Sequence, residues 1–155
     1  MNVKSVLADF QFLGNRVSKL VLDTRLIEEK GRAEVTIDVD YKVNEIEVKE
    51  SKFSDTLSLI IQVKAKIKNR ILFRVELEME GLFAGDAEKI TQEKFMNMLE
   101  MNGLVTLLHI SRAYLLSVTA QSGIQPPVKL PMINVLKLRE NKARQIQEER
   151  IKSDN

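Results

Sequence analysis

The chain contains no cysteine in its 155 residues, which excludes disulfide bridges and thiolate metal sites. Nothing marks an oxidising compartment, so a cytoplasmic location is the expectation. Tryptophan is also missing and aromatic residues make up only 5%, which leaves few platforms for stacking single-stranded bases. Charge of one sign is scarce too. The 24 basic and 22 acidic residues leave a formal net charge of +2, too balanced to track a phosphate backbone, and no nucleic-acid partner is expected. The single histidine, His109, has no second imidazole or thiolate with which to complete a metal site. It reads either as a general base or ligand, or as a residue that hydrogen-bonds locally within a helix. Ser111 lies two positions on and turns to another helix face, so the two are not a catalytic pair. "GLFAG" at 81–85 lacks the lysine and the serine or threonine of a phosphate-binding loop. No enzyme activity, catalytic residue, metal or cofactor is expected. The N-terminal stretch shows no apolar run ending in a small-residue cleavage site, and charges are read as interrupting every later apolar stretch. No export signal and no membrane insertion are therefore expected.

What the chain does have is apolar residues in regular spacing. At 44% hydrophobic it can bury one core, which predicts a single domain over residues 1–155. "VTIDVDYKV" at 35–43 alternates strictly, as a half-buried strand does. Leu57 to Ile67 and Ile71 to Met79 repeat the pattern around a tight Lys68-Asn69 turn, which predicts a hairpin. Arg16 to Thr24 forms a less regular first strand. Glu45, Glu47, Glu50, Glu76, Glu78 and Glu80 fall mostly at alternate positions, either as a solvated strand face or as an acidic docking surface.

"EGLFAGD" at 80–86 then brings two glycines, read as ending the last strand. Thr91 is a candidate N-cap for a helix carrying Phe95, Met98, Leu99 and Met101, with a break expected at Asn102-Gly103. A longer helix is predicted from about Leu104 to Gln121, with Gly123 capping its end. Because Val105, Ile110, Ala113, Tyr114 and Leu116 lie off its first apolar stripe, this helix needs a second partner. A symmetric copy of the chain supplies one. Methionines 79, 96, 98, 101 and 132 suit either core filling or an adaptable binding surface. After the connector "GIQPPVKLPMINV" at 123–135, Asn134 caps a last helix, whose polar end is expected to fray from about residue 142. The predicted class is α+β: a four-stranded antiparallel sheet followed by helices packed on one sheet face and at an oligomer interface.

That order of elements resembles the SecB export-chaperone family. "FQF" at 10–12, "EGLF" at 80–83, Arg112 in the long helix and "GIQPPVKLPMIN" at 123–134 carry the likeness, which runs from Phe10 to about Asn141. The resemblance implies a homotetramer, built as a dimer of dimers with long helices between two sheets. It also implies an ATP-independent holdase that binds unfolded or precursor polypeptides in hydrophobic grooves, for protein export and translocation. One groove wall would be the connector residues Pro126, Pro127, Val128, Leu130, Pro131, Met132 and Ile133. Phe83, Phe95, Met98 and Val135 are further groove candidates. SecA is the implied partner, docked through acidic residues on the sheet, of which Glu76 matches one. Leu20 and Arg74 depart from that pattern, and the tail "RQIQEERIKSDN" is mixed in charge. Two alternatives stand beside export: a SecB-like chaperone dedicated to an antitoxin or another single partner, and a non-holdase adaptor.

Overall fold

Alternating side chains produce five strands, in a computed structural model that describes residues 2–3, 7–28 and 30–153. They are β1 (Phe10–Thr24), β2 (Glu34–Val43), β3 (Glu47–Lys49), β4 (Lys52–Ile67) and β5 (Arg70–Asp86). Every pairing is antiparallel and the order is β1-β5-β4-β2. The expected sheet of four gains β3, which continues along the β2 side of β4. Both hairpin turns hold two consecutive residues with positive φ, Glu50 and Ser51 before β4 and Lys68 and Asn69 before β5. This is the turn whose twist matches the flanking strands.

One face of the sheet is dry. Leu57, Leu59, Ile61 and Val63 of β4 lie opposite Gly81, Met79, Leu77 and Val75 of β5, and all these side chains are buried. Each large one contributes roughly 1.5–3 kcal/mol by leaving water. β5 does not end at its glycines as expected but runs through them to Asp86. A Cβ at Gly81 would stand 2.8 Å from Leu107, and one at Gly85 would stand 2.7 Å from Phe95. The glycines let the helical layer approach the strand; they do not stop it. At the other end, β1 starts at Phe10 and not near Arg16, so "FQF" is part of the sheet.

Thr91 Oγ1 accepts from the Lys94 amide at 3.2 Å and caps α1 (Gln92–Met98). The expected break at Asn102-Gly103 is absent. A wide π-turn at Leu99–Gly103 carries the helix without interruption into α2 (Leu104–Gln121). Gly103 is buried there, and a Cβ in its place would meet Leu57 at 3.0 Å. Gln92–Gln121 is long and apolar enough to cross a membrane, which corrects the reading that charges interrupt every apolar stretch; Arg112 is the only charged residue in α2. Its inner side, Leu104, Leu107, Leu108, Ser111, Leu115 and Thr119, is buried against the dry face. α3 (Val135–Ser153) begins at an Asn134 cap, whose Oδ1 accepts from the Lys137 amide at 3.1 Å. The stretch expected to fray is helical to Ser153, with exposed side chains from Ala143 onward. The last two residues of that tail lie outside the described residues.

Candidate binding surface along the connector

Residues 122–134 fold back along α2 because two of its side chains hold the connector's backbone. Thr119 Oγ1 donates to the Leu115 carbonyl at 2.6 Å and accepts from the Val128 amide at 2.9 Å. Arg112, two turns earlier, donates from Nε to the Leu130 carbonyl at 2.9 Å and from its terminal nitrogen to the Pro131 carbonyl at 3.1 Å. A polar connector would offer these groups to water. Here they are satisfied from the helix, which permits an apolar segment to lie flat on the core.

The connector has two sides. Ile124, Val128 and Leu130 point inward and join the core with Val135. Pro126, Lys129, Pro131 and Met132 are exposed, Met132 at 81%, while Pro127 and Ile133 are half-buried. Of the groove candidates, Val128, Leu130 and Val135 are therefore core residues in this chain. Phe83 and Phe95 are fully buried as well. They belong to an aromatic cluster in which Phe10 stacks on Phe83 at 5.5 Å and tilts against Phe95 at 5.6 Å. Met98 is half-buried against the Phe53, Ile90 and Phe95 group. The exposed apolar strip is thus Pro126, Pro131 and Met132, continued by Leu136 at 59% exposure on α3. Leu136 was missed; its place as an apolar residue in the first turn after the Asn134 cap was the available signal.

The π-turn brings Glu100 between the sheet and α3. Its Oε2 accepts from the Tyr41 hydroxyl at 3.0 Å and from Arg139 Nε at 3.1 Å. Burial, followed by the nearby Glu100 carboxylate, raises the Tyr41 pKa well above its ordinary value. One turn on, Lys142 Nζ meets Asp40 at 2.8 Å. Clefts lie on both sides of α3. One of about 600 Å³ separates it from the polar sheet face at Ile60, Gln62 and Glu78, and one of about 390 Å³ runs beside Tyr41, Val43 and Ile146. A third, of about 470 Å³, opens where the connector starts, between Leu72 and Ile124.

The docking candidate Glu76 lies on the polar face of β5 with Lys19 Nζ at 2.8 Å and an Arg74 nitrogen at 4.0 Å. The hydrogen bond from Lys19, with that cation's charge, lowers its pKa. Glu80 is likewise met by Arg16 at 2.6 Å. These carboxylates form a mixed-charge face. Leu20 pairs with Leu77 and so lies on the opposite, apolar face from Glu76. The acidic residue of β1 on the polar face is Asp23, opposite Arg74. His109 is exposed and hydrogen-bonds locally, with Nδ1 at 3.3 Å from an Arg112 nitrogen. Ser111 is buried on another side of α2. No group of three or more metal-ligating side chains occurs among the described residues.

Comparison with curated proteins finds no match. Among solved structures, the chain is similar to a SecB-like chaperone of Mycobacterium tuberculosis in complex with a ChAD peptide from the HigA1 antitoxin. The TM-score is 0.60 at 16% identity, covering 81% of this chain and 91% of that one. It is also similar to a Streptococcus agalactiae protein of unknown function, with TM-score 0.45, 13% identity and coverage of 79% and 97%. At 16% identity the first likeness is one of fold. The family model described as preprotein translocase subunit SecB matches residues 21–146, from near the end of β1 to within α3. With β2 to β5, the long helix and the tethered proline-rich connector all inside that span, the chain belongs to the SecB family.

Proposed function

We propose that this chain is a cytoplasmic, ATP-independent chaperone that holds unfolded or precursor polypeptides by apolar contact. The carrying observation is the strip Pro126, Pro131, Met132 and Leu136, apolar and exposed although Arg112 and Thr119 fix its backbone. An unfolded client must be held with little sequence preference, which favours a shallow apolar surface over a shaped pocket. Met132 adapts to many apolar side chains. The prolines limit the strip's freedom before binding, so less ordering entropy opposes the complex. Pro127, Ile133 and Met98 flank the contact, and the buried Val128, Leu130, Val135, Phe83 and Phe95 support it from beneath.

The purified protein is expected to suppress aggregation of a slow-folding unfolded client at stoichiometric concentration without ATP, and a Met132→Asp variant to do so several-fold less well. Unchanged aggregation with the wild-type chain would sink the reading. Assembly as a homotetramer is part of the proposal. It is supported by the outer side of α2, where Val105 and Leu116 are 41% and 36% exposed, and by the second edge of β1, which pairs with no strand among the described residues.

A second reading, a chaperone dedicated to one partner such as an antitoxin, is favoured over SecA-coupled export by the Lys19 and Arg74 cations around Glu76. A charge-compensated carboxylate offers little to a basic docking partner. Pull-down with SecA is the discriminating measurement: retention of SecA supports export, and recovery of one stoichiometric partner without SecA supports dedication.

A further inference from the structure

α3 is a 19-residue helix with a single buried residue, Val135 in its first turn. Leu138 packs half-buried against the core, and beyond it no residue of the helix is buried. Past Leu138, the helix is held by two ion pairs three residues apart on one face, Arg139 with Glu100 of the π-turn and Lys142 with Asp40 of β2, and by a hydrogen bond from Arg139 to the Asn97 side chain at 3.1 Å. Both pairs are partly wet: the side chains of Arg139 and Glu100 are each 26% exposed, Lys142 is 23% and Asp40 48%. Clefts flank α3 on either side, with Lys142 on the rim of both.

We propose that α3 is a salt-gated flap, pivoting at Val135 and clasped by Asp40 and Glu100, that opens and closes the cleft between itself and the polar sheet face. Partly exposed ion pairs weaken as salt screens them, while the Val135 anchor, being apolar, does not. Loss of the two carboxylates removes both charge contacts; Lys42, which lines both clefts, then repels Arg139 and Lys142, an effect only partly offset by Asp38 and Glu78 in the larger cleft, and the seated population falls. The flap's role in retaining a client rests on the chaperone reading; its motion does not.

The test uses the absence of cysteine. Gln62→Cys and Gln145→Cys place probes on opposite walls of the larger cleft, and the distance between them reports the flap. At low salt the wild-type background should give a short, narrow distance distribution that lengthens and broadens in 1 M salt. Asp40→Asn with Glu100→Gln keeps the acceptors for the Tyr41 amide and hydroxyl, and should shift the seated population by about two- to fivefold per pair removed. Exchanging charges in Asp40→Lys with Lys142→Asp should restore the short distance, which a merely destabilised fold would not do. A distance unmoved by salt and by the double variant overturns the flap. If the wild type binds no client while the distance responds as described, the chaperone reading fails and the flap stands. If client is bound, the double variant should release it about two- to fivefold faster; an unchanged release rate overturns the flap's role in retention.

Discussion

Asp55 stands on the dry face of β4 between Phe53 and Leu57, 4% exposed, with Oδ1 accepting from the Thr56 amide at 2.6 Å and Oδ2 without a partner. Burial pushes its carboxyl up to about 6 from the ordinary 3.8, against the backbone hydrogen bonds from Thr56 and Asn44 that lower it. The neutral form is therefore the one that suits the fold. Its contribution is complete below the unfolded value and is lost as pH rises through about 6, because the folded chain must then hold a buried charge. Asp55→Asn keeps the acceptor and removes the charge. It should raise stability by about 1–2 kcal/mol at pH 8, a gain that shrinks toward pH 5. Urea midpoints of both proteins at the two pH values check this, and an equal difference at both would refute it. Ser111 offers a parallel case without pH: its hydroxyl is fully buried on the inner side of α2 and has no partner. Ser111→Ala should be neutral or stabilising by up to about 1 kcal/mol in the same denaturation measurement, since an unpaired buried hydroxyl costs more than a methyl in its place.

At the scale of elements, the join between β5 and the helical layer depends on missing side chains. An alanine Cβ at Gly85 would meet Phe95 at 2.7 Å and Ile90 at 2.8 Å, both buried, and one at Gly81 would meet Leu107 and Phe83 at 2.8 Å. Gly81→Ala and Gly85→Ala should each destabilise the fold by about 1–3 kcal/mol through overpacking; thermal melts lowered by several degrees are the expected result, and unchanged melts would contradict it. These same glycines mark the limit of what the sequence discloses. Alternation from Leu57 to Ile67 and from Ile71 to Met79 was legible because period-two burial belongs to the strand itself. The run through Gly81 and Gly85 was not, since a glycine that admits a helix and a glycine that ends a strand look alike until the neighbour is in place. Asn102-Gly103 misled for the same reason: Gly103 makes room for Leu57 within a continuous helix. The connector's apolar character was plain from "GIQPPVKLPMINV". Its division into an inner row at Val128 and Leu130 and an outer row at Pro131 and Met132 depends on where Thr119 and Arg112 hold the backbone, which no local pattern encodes.

For the whole molecule, apolar surface beyond the connector strip is left exposed by a single chain on α2 and on β1. On α2, Val105, Ala113, Leu116 and Ala120 recur at helical spacing on the side away from the sheet. On β1, Phe12, Val17 and Leu20 of the dry face are 39%, 36% and 37% exposed along a strand of 15 residues whose second edge pairs with no strand among the described residues. A long free edge with exposed apolar side chains invites uncontrolled pairing unless something covers it. Another copy of the chain covers both surfaces in the proposed assembly. Light scattering should then report a mass of about four times 17.7 kDa. Replacing Leu116 with Glu places a charge on the outer face of α2 while leaving the buried row untouched, so each chain should still fold. Burying that charge between helices is costly, and the measured mass should fall to that of smaller species at micromolar concentration, with circular dichroism unchanged. A wild-type chain that scatters as a monomer would overturn the assembly. A Leu116→Glu variant that remains tetrameric would place the interface on β1 and away from α2.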